Sequence, residues 1–432
     1  MSDASFSTTG RRRQLMSDPS RVRITGPLAA FAAGFAAELS AQGYRLNAAA
    51  NQLQLLAHLS RWLASRRQDA TTLTASVLDE FLNARRAQGY TLWLSSKALT
   101  PLVSYFSNVG IAVASAHAVL SPSEALLERY RKYLLDVRGL VATSARGYVD
   151  MARAFAVTRV VDGELDWKCL RPENLIQFVL SASRGRSTGS AKLTVTALRS
   201  LLIYLHIEGF IAQPLDTAVP SVAGWRLAGL PRALETRDVQ RLLAACDRRT
   251  HHGQRDFAML MLLARLGLRA GEVRMLNLDD IDWRAGELVV RGKGQRIERL
   301  PLPADVGQAL AAYLRRGRPD TAQGRTVFVR TRAPHRALSS GGITEAVAAA
   351  ASRAGLPHMS AHRLRHTLAT QMVRSGVALP EVAQVLRHRR LMTTSIYAKV
   401  DREESCRNWP AFTVRPATCV RTTARNSCRM PS

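Results

Sequence analysis

Six residues in the second half of the chain are of types that handle phosphate esters: Arg269, Lys293, His362, Arg365, His388 and Tyr397. A guanidinium can hold two oxygens of one phosphate at once. Lysine and histidine can donate or accept a proton at a reacting oxygen. A tyrosine hydroxyl that loses its proton is a nucleophile able to form a covalent ester. Taken singly, each has an ordinary explanation. Arg269 lies in Leu266-Gly267-Leu268-Arg269-Ala270-Gly271-Glu272, just past an apolar stretch, where a surface arginine at a helix end is common. Lys293 sits between Gly292 and Gly294, as a solvated turn lysine does. Tyr397 alone reads as a half-buried aromatic.

These residues need particular elements to position them. An apolar helix over residues 257–266 ends at Gly267, so a short turn fixes Arg269, and Glu272 starts the next helix. Residues 286–291 and 296–302 alternate as a β-hairpin with Lys293 at its tip, and residues 326–330 read as one more short strand. In His362-Arg363-Leu364-Arg365-His366, His362 and Arg365 are three apart and share a helix face, while Leu364, Leu368 and Met372 face the core. His362 and His366 are also spaced for a metal, but this segment has no carboxylate to complete such a site. Pro380 suits the first turn of a helix ending near Leu386-Arg387-His388. Thr393 caps the short helix that carries Tyr397.

The rest of the chain is helical in pattern. Phe31, Phe35 and Leu39 recur at helical spacing, as do Leu55, Leu56, Leu59 and Leu63, and then Val77, Leu78, Phe81 and Leu82 after Leu73-Thr74. A second block opens at Ser121-Pro122-Ser123-Glu124, a good helix start, and carries Leu126, Leu127, Tyr130 and Leu134. Leu99, Leu102, Tyr105 and Gly110 match Leu198, Leu201, Tyr204 and Gly209 at an offset of 198 − 99 = 99, which reads as a tandem duplication of one small helical domain. Strands are expected only in the third block, whose first helix opens at Glu235-Thr236. The expected division is a flexible basic N-terminus (1–26), a helical domain (27–118), a second helical domain (122–218), a linker (219–231), a third domain (232–402) and a basic, disordered tail (403–432).

Composition limits the function. The 432 residues hold 61 Lys and Arg against 33 Asp and Glu, a formal charge of +28. A charge this large is best neutralised by a polyanion, and nucleic acid is the default partner. An RNA-binding or ribosome-associated protein, or an arginine-rich composition from a GC-rich genome, would also explain charge alone. The N-terminus is polar and ends in Arg11-Arg12-Arg13, and no apolar stretch is long enough to span a bilayer. Cys169, Cys246, Cys406, Cys419 and Cys428 form no C-x-x-C pair, so neither a disulfide framework nor a zinc ribbon is expected. The expectation is a bacterial cytoplasmic protein associated with the nucleoid, with no membrane partner.

Taken together and in order, the motifs resemble the tyrosine recombinase (phage integrase) family. That family's pattern is a GLR-x-x-E segment, a hairpin lysine, H-x-L-R-H, an L-G-H segment and a tyrosine. Here it stands as Gly267-Leu268-Arg269-Ala270-Gly271-Glu272, Lys293, His362 to His366, Leu386-Arg387-His388 and Tyr397, with 397 − 388 = 9 residues between the last two. The resemblance implies a mainly α fold: tandem helical, SAM-like DNA-binding domains, then an integrase-like catalytic domain with a small β-hairpin. It implies that Tyr397 attacks DNA and forms a 3′-phosphotyrosyl bond. His362 would be the general base, Arg269 and Arg365 the phosphate clamp, Lys293 the general acid, His388 a phosphate ligand and Glu272 a buttress. It implies no metal and no other cofactor, double-stranded DNA with specific sites as partner, a tetramer at synapsis, and in some systems partner recombinases. Arg184, Arg186 and Lys192 fall in a stretch suited to face DNA, and Arg129 and Arg131 are weaker candidates.

Two features depart from the family pattern. Arg387 stands where glycine is usual, which puts the local turn in doubt, and the segment after Asp401 lacks the pattern of a short apolar docking helix, which bears on tetramer assembly. The rival readings are a type IB topoisomerase, which shares the chemistry, and a catalytically inactive DNA-binding remnant of a mobile element.

Overall fold

The computed structural model describes residues 18–111, 121–161, 163–223, 233–292, 296–388, 394 and 397. It divides into two compact units, residues 1–228 with 332–334, and residues 229–331 with 335–432.

The first unit holds two helical cores. The first core is built by α1 (Ala32–Ala41), α2 (Leu46–Ser65), α3 (Ala75–Ala87) and α4 (Ser96–Asn108). Their apolar residues recur at helical spacing, so Phe35, Leu39, Leu56, Leu63, Phe81 and Phe106 all meet in one interior. Thr74 starts α3 by accepting a hydrogen bond from the Val77 amide at 3.2 Å. The second core is built by α5 (Pro122–Lys132), α6 (Ala142–Val157), α7 (Pro172–Ser183) and α8 (Thr188–Ile207). Tyr130, Phe155, Trp167, Leu201 and Tyr204 lie inside it. Between α6 and α7 the chain makes a two-residue pairing, β1 (Val160–Val161) with β2 (Glu164–Leu165). Strands are therefore not confined to the last third of the chain, as the sequence reading expected.

The repeated residues occupy like places in the two cores. Leu99, Leu102 and Tyr105 are buried on α4, and Leu198, Leu201 and Tyr204 are buried on α8. Gly110 and Gly209 end their helices with φ of 81° and 75°, values that glycine adopts without steric penalty.

The second unit is built on α9 (Thr236–Ala244), α10 (His251–Arg265), α11 (Ala270–Met275), β3 (Ile281–Asp282), β4 (Glu287–Arg291), β5 (Ile297–Pro301), α12 (Ala304–Ala312), α13 (Ser340–Arg353), α14 (Ala361–Arg374) and α15 (Leu379–Val385). The central helix is α10, whose residues from Ala258 to Leu263 are all buried. It starts where Thr250 accepts from the Gly253 amide at 3.0 Å. The three strands form one antiparallel sheet in the order β3-β4-β5, with Leu288 opposite Leu300 and Val290 opposite Glu298. Residues 326–330, expected as a strand, form only isolated bridges, Asn277 to Thr326 and Val329 to Ala337. Val327, Phe328 and Val329 are fully buried, so their apolar run marks packing rather than a ladder. The Leu234 amide donates to Thr367 Oγ1 at 3.0 Å, fastening the start of this unit to α14.

Among the described residues, no helix is long and apolar enough to cross a membrane.

Candidate active site

The site is organised around one buried arginine. Arg365 lies on α14 with 1% of its surface exposed. Its guanidinium donates from Nη1 to the Gly267 carbonyl at 2.5 Å and from Nη2 to the Leu386 carbonyl. These buried carbonyls lie at and just past the ends of two helices, α15 and α10, and need donors. One planar fork thus joins the loop that carries Arg269 to the loop that carries His388. Burial, and then the nearby Arg269 and Arg387 charges, push Arg365 down to about 10, still charged at neutral pH.

Both helix ends turn through the left-handed region. Gly267 has φ 59°, and a Cβ there would stand 2.9 Å from Leu368 Cδ2 and 3.2 Å from Leu386 Cδ2. A side chain there would carry the left-handed penalty and have to push both leucine ends aside, which glycine avoids. Arg387 has φ 54°, and its amide donates to the Gln384 carbonyl while the His388 amide donates to the Ala383 carbonyl, both at 2.9 Å. The turn expected of glycine is therefore formed with arginine in it.

Arg269 is the N-cap residue of α11. Its amide donates to Glu272 Oε2 at 2.9 Å and its Nη1 to Glu272 Oε1 at 2.6 Å. Its Nη2 lies 3.5 Å from the Arg387 carbonyl. Glu272 also accepts from Arg387 Nη2 at 2.9 Å. Burial raises the Glu272 pKa, but the Arg269 amide, the Arg387 charge and the Arg269 side chain outweigh it and hold the carboxyl below its ordinary value.

Tyr397 is 1% exposed and packs with Ala369, Val382 and Leu386. Its hydroxyl stands 2.6 Å from His366 Nδ1. Burial lifts its pKa to about 12, opposed by the Arg365 charge. His366 is brought down to about 4 by burial, then by His362 and Arg365, so its ring is neutral at neutral pH. His362 stacks edge-on to His366 with ring centroids 4.4 Å apart. Burial and the Arg365 and Arg269 charges lower its pKa too. His388 Nδ1 is 2.7 Å from Thr394 Oγ1, and burial followed by the Arg365 charge brings it to about 4.

The structure thus gathers Arg269, Glu272, Arg365, His388 and Tyr397 through Arg365 and the two helix ends, with His362 one helical turn from His366. Lys293 and Thr393 lie outside the described residues, although the strands on either side of the Lys293 turn form as expected. Arg184 ends α7 and Arg186 follows it, Lys192 lies on α8, and all three are exposed. Arg129 stacks over the Phe210 ring at 5.2 Å and Arg131 pairs with Glu128 at 2.7 Å, contacts that already account for both. Sequence reasoning gave no role to His366, the described partner of the Tyr397 hydroxyl. The signal was its spacing, four residues after His362 and so one turn along the same helix. It likewise missed Arg387 as a partner of Glu272.

Residues 232–404 match the phage integrase family. The integrase/recombinase y4rA of Sinorhizobium fredii is 39% identical over 381 residues, covering 87% of this chain and 92% of that protein. The chain belongs to the phage integrase family, the tyrosine recombinases. The tyrosine recombinase XerD of Listeria monocytogenes is 30% identical over 280 residues, covering 64% of this chain and 94% of that enzyme. The fold is also that of the XerH site-specific recombinase bound to its palindromic difH substrate, with TM-score 0.51, 18% identity, and coverage of 77% of this chain and 94% of that one. This tyrosine recombinase thus combines two helical cores with a mainly helical unit that carries a small antiparallel sheet.

Proposed function

We propose that this tyrosine recombinase is the site-specific recombinase of a mobile element, cutting and rejoining DNA through a 3′-phosphotyrosyl intermediate. The observation that carries this reading is the meeting of a buried tyrosine, a neutral histidine at 2.6 Å from its hydroxyl, and two arginines joined through adjacent helix ends. Tyr397 attacks the scissile phosphorus, the phosphorus–O5′ bond breaks, and a 5′-hydroxyl leaves. A phenol held near pKa 12 does not ionise unaided. At rest its hydroxyl is hydrogen-bonded to His366 Nδ1. To reach DNA the ring swings out of its apolar seat, and His362, one turn away on the exposed side of α14, takes the proton. Arg269 and Arg365 stabilise the charge that develops on the non-bridging oxygens. Lys293 protonates the leaving O5′, and His388 binds the phosphate. Glu272 holds Arg269 in place. The ester stores the energy of the broken bond, so the 5′-hydroxyl of another duplex can reverse the step with new connectivity.

The helical domains at 27–118 and 122–218 clamp and read the DNA, with Arg184, Arg186 and Lys192 facing phosphates, while residues 232–402 carry the chemistry. Exchange between two duplexes calls for four protomers. XerH is described on its DNA substrate, and a lambda integrase tetramer of like fold is described on a Holliday junction, which supports this assembly.

The test is adduct formation on nicked suicide duplexes built from DNA flanking the gene, with wild type beside Tyr397→Phe. The expected result is a DNA-linked band on a denaturing gel with wild type alone. DNA shifted in a native gel without an adduct would instead make the protein a binding remnant, and an adduct from the Phe variant would refute the nucleophile.

A further inference from the structure

Arg387 holds a left-handed turn, φ 54°, at a place where the family pattern has glycine. A side chain makes that conformation less favourable, and the buried contact of Arg387 distinguishes it from exposed Arg67, which adopts the same kind of turn at φ 55°. Arg387 donates from Nη2 to Glu272 and from Nη1 to the Val385 carbonyl at 3.3 Å. The Arg387 and Glu272 side chains are 6% and 4% exposed, and their ion pair measures 2.9 Å. A second carboxylate, Glu298 on β5, lies 3.7 Å from Arg387 Nε.

Glu272 therefore serves two guanidiniums. Its Oε1 takes Arg269 Nη1, and its Oε2 takes the Arg269 amide and Arg387 Nη2. A buried carboxylate paired with one arginine frequently takes two parallel bonds from it. With Arg387 on Oε2, Arg269 gives Glu272 only one side-chain bond. Its other terminal nitrogen meets the Arg387 carbonyl at the long distance of 3.5 Å, a contact that a phosphate oxygen readily replaces.

We propose that Arg387 is a positioning residue for strand cleavage: by occupying Glu272 Oε2 it keeps Arg269 half-bound, with one edge presented to the scissile phosphate. This rests on the phosphotyrosyl reading above. A glycine at this position would have no side chain to share Glu272, so here the clamp depends on the Arg387 side chain.

The experiment compares wild type, Arg387→Gly and Arg387→Lys in single-turnover adduct formation. Each is run on a suicide duplex with an ordinary scissile phosphate and on one with a methylphosphonate there. The methylphosphonate lacks one charged oxygen, so its reaction depends less on the clamp. Arg387→Gly is expected to slow the phosphate reaction about tenfold or more, less than the loss from removing a direct oxyanion donor. On the methylphosphonate the gap closes to within about threefold, and Arg387→Lys keeps part of the phosphate rate, since it restores the charge without the fork. DNA affinity should stay within about threefold, because the side chain is buried away from solvent. A wild-type rate for Arg387→Gly on phosphate overturns the proposal, and so does an equal loss on both substrates, which marks a damaged fold. If wild type itself forms no Tyr397-dependent adduct, the phosphotyrosyl reading falls and this inference with it. If wild type cleaves and Arg387→Gly is unimpaired, this inference alone falls.

Discussion

The α10 end at Gly267 and the α15 end at Arg387 are built alike and filled differently. Both turn through the left-handed region, at φ 59° and 54°. At both ends a carbonyl is handed to the same buried arginine, Arg365. At Gly267 a Cβ would crowd the ends of Leu368 and Leu386. At Arg387 the side chain runs to a buried carboxylate instead. The same backbone shape is thus required once by crowding and once in spite of the residue that adopts it. A left-handed turn read from a glycine in sequence is safe. Arginine also adopts this turn at Arg67, φ 55°, on the surface, so what sets Arg387 apart is its buried carboxylate partner.

The change expected to break this comparison most completely is Arg365→Ala, because it removes the donor from both ends together. Two buried carbonyls lose their partner, and each such group is worth about 1–3 kcal/mol. Denaturant unfolding should show a loss of about 3 kcal/mol, and adduct formation should fall by about 100-fold or more. Arg365→Lys should not restore either, since a single ammonium cannot span both carbonyls. A lysine variant with wild-type stability would show that the two ends are held independently of the fork.

Substituting the two turns against each other gives the next largest effect. Gly267→Ala meets both the left-handed penalty of about 1–2 kcal/mol and the crowding against Leu368 and Leu386, and should lose about 2–3 kcal/mol in all. Arg387→Gly relieves the same penalty but takes one donor from buried Glu272, and the two terms nearly cancel, to within about 1 kcal/mol. Equal losses at the two positions in denaturant titrations would mean that the turns are interchangeable and the contrast is false.

Much of this was legible beforehand because it rests on local pattern. The helix end at Gly267, the helix start at Ser121-Pro122-Ser123-Glu124, the hairpin around Lys293 and the repeated Leu-Leu-Tyr-Gly sets all depend on neighbours within a few residues. The ordered Arg, Lys, His, Arg, His and Tyr residues identified the family through their types and order. What stayed hidden depends on distant pairs. Glu272 and Arg387 are 115 residues apart, and His366 and Tyr397 are 31 apart. The apolar run at 327–329 shows the opposite failure, since burial on all sides and strand pairing leave the same trace in sequence.

The smallest effect separates the two ends by pH. The Arg387 end carries His388, with His366 beside it, both brought to about 4 by burial and by neighbouring positive charge. The Gly267 end carries Glu272, whose pKa is held below its ordinary value. A histidine lowered in the folded state binds fewer protons than in the unfolded chain between about 6.5 and 4, so stability rises with pH across that window and is lost as pH falls through it. The carboxylate, already ionised there, loses its contribution only at lower pH. Both rings are partly exposed, so solvent screening keeps the effect modest. Hydrogen-exchange protection factors at pH 7 and pH 5 should therefore fall first at the His388 and Tyr397 amides, while the Leu268 amide keeps its protection. Replacing His366 and His388 with glutamine should flatten the dependence. Equal loss at both ends would mean that Arg365 transmits the charging of the histidines to Gly267, and the two turns would then open as one unit.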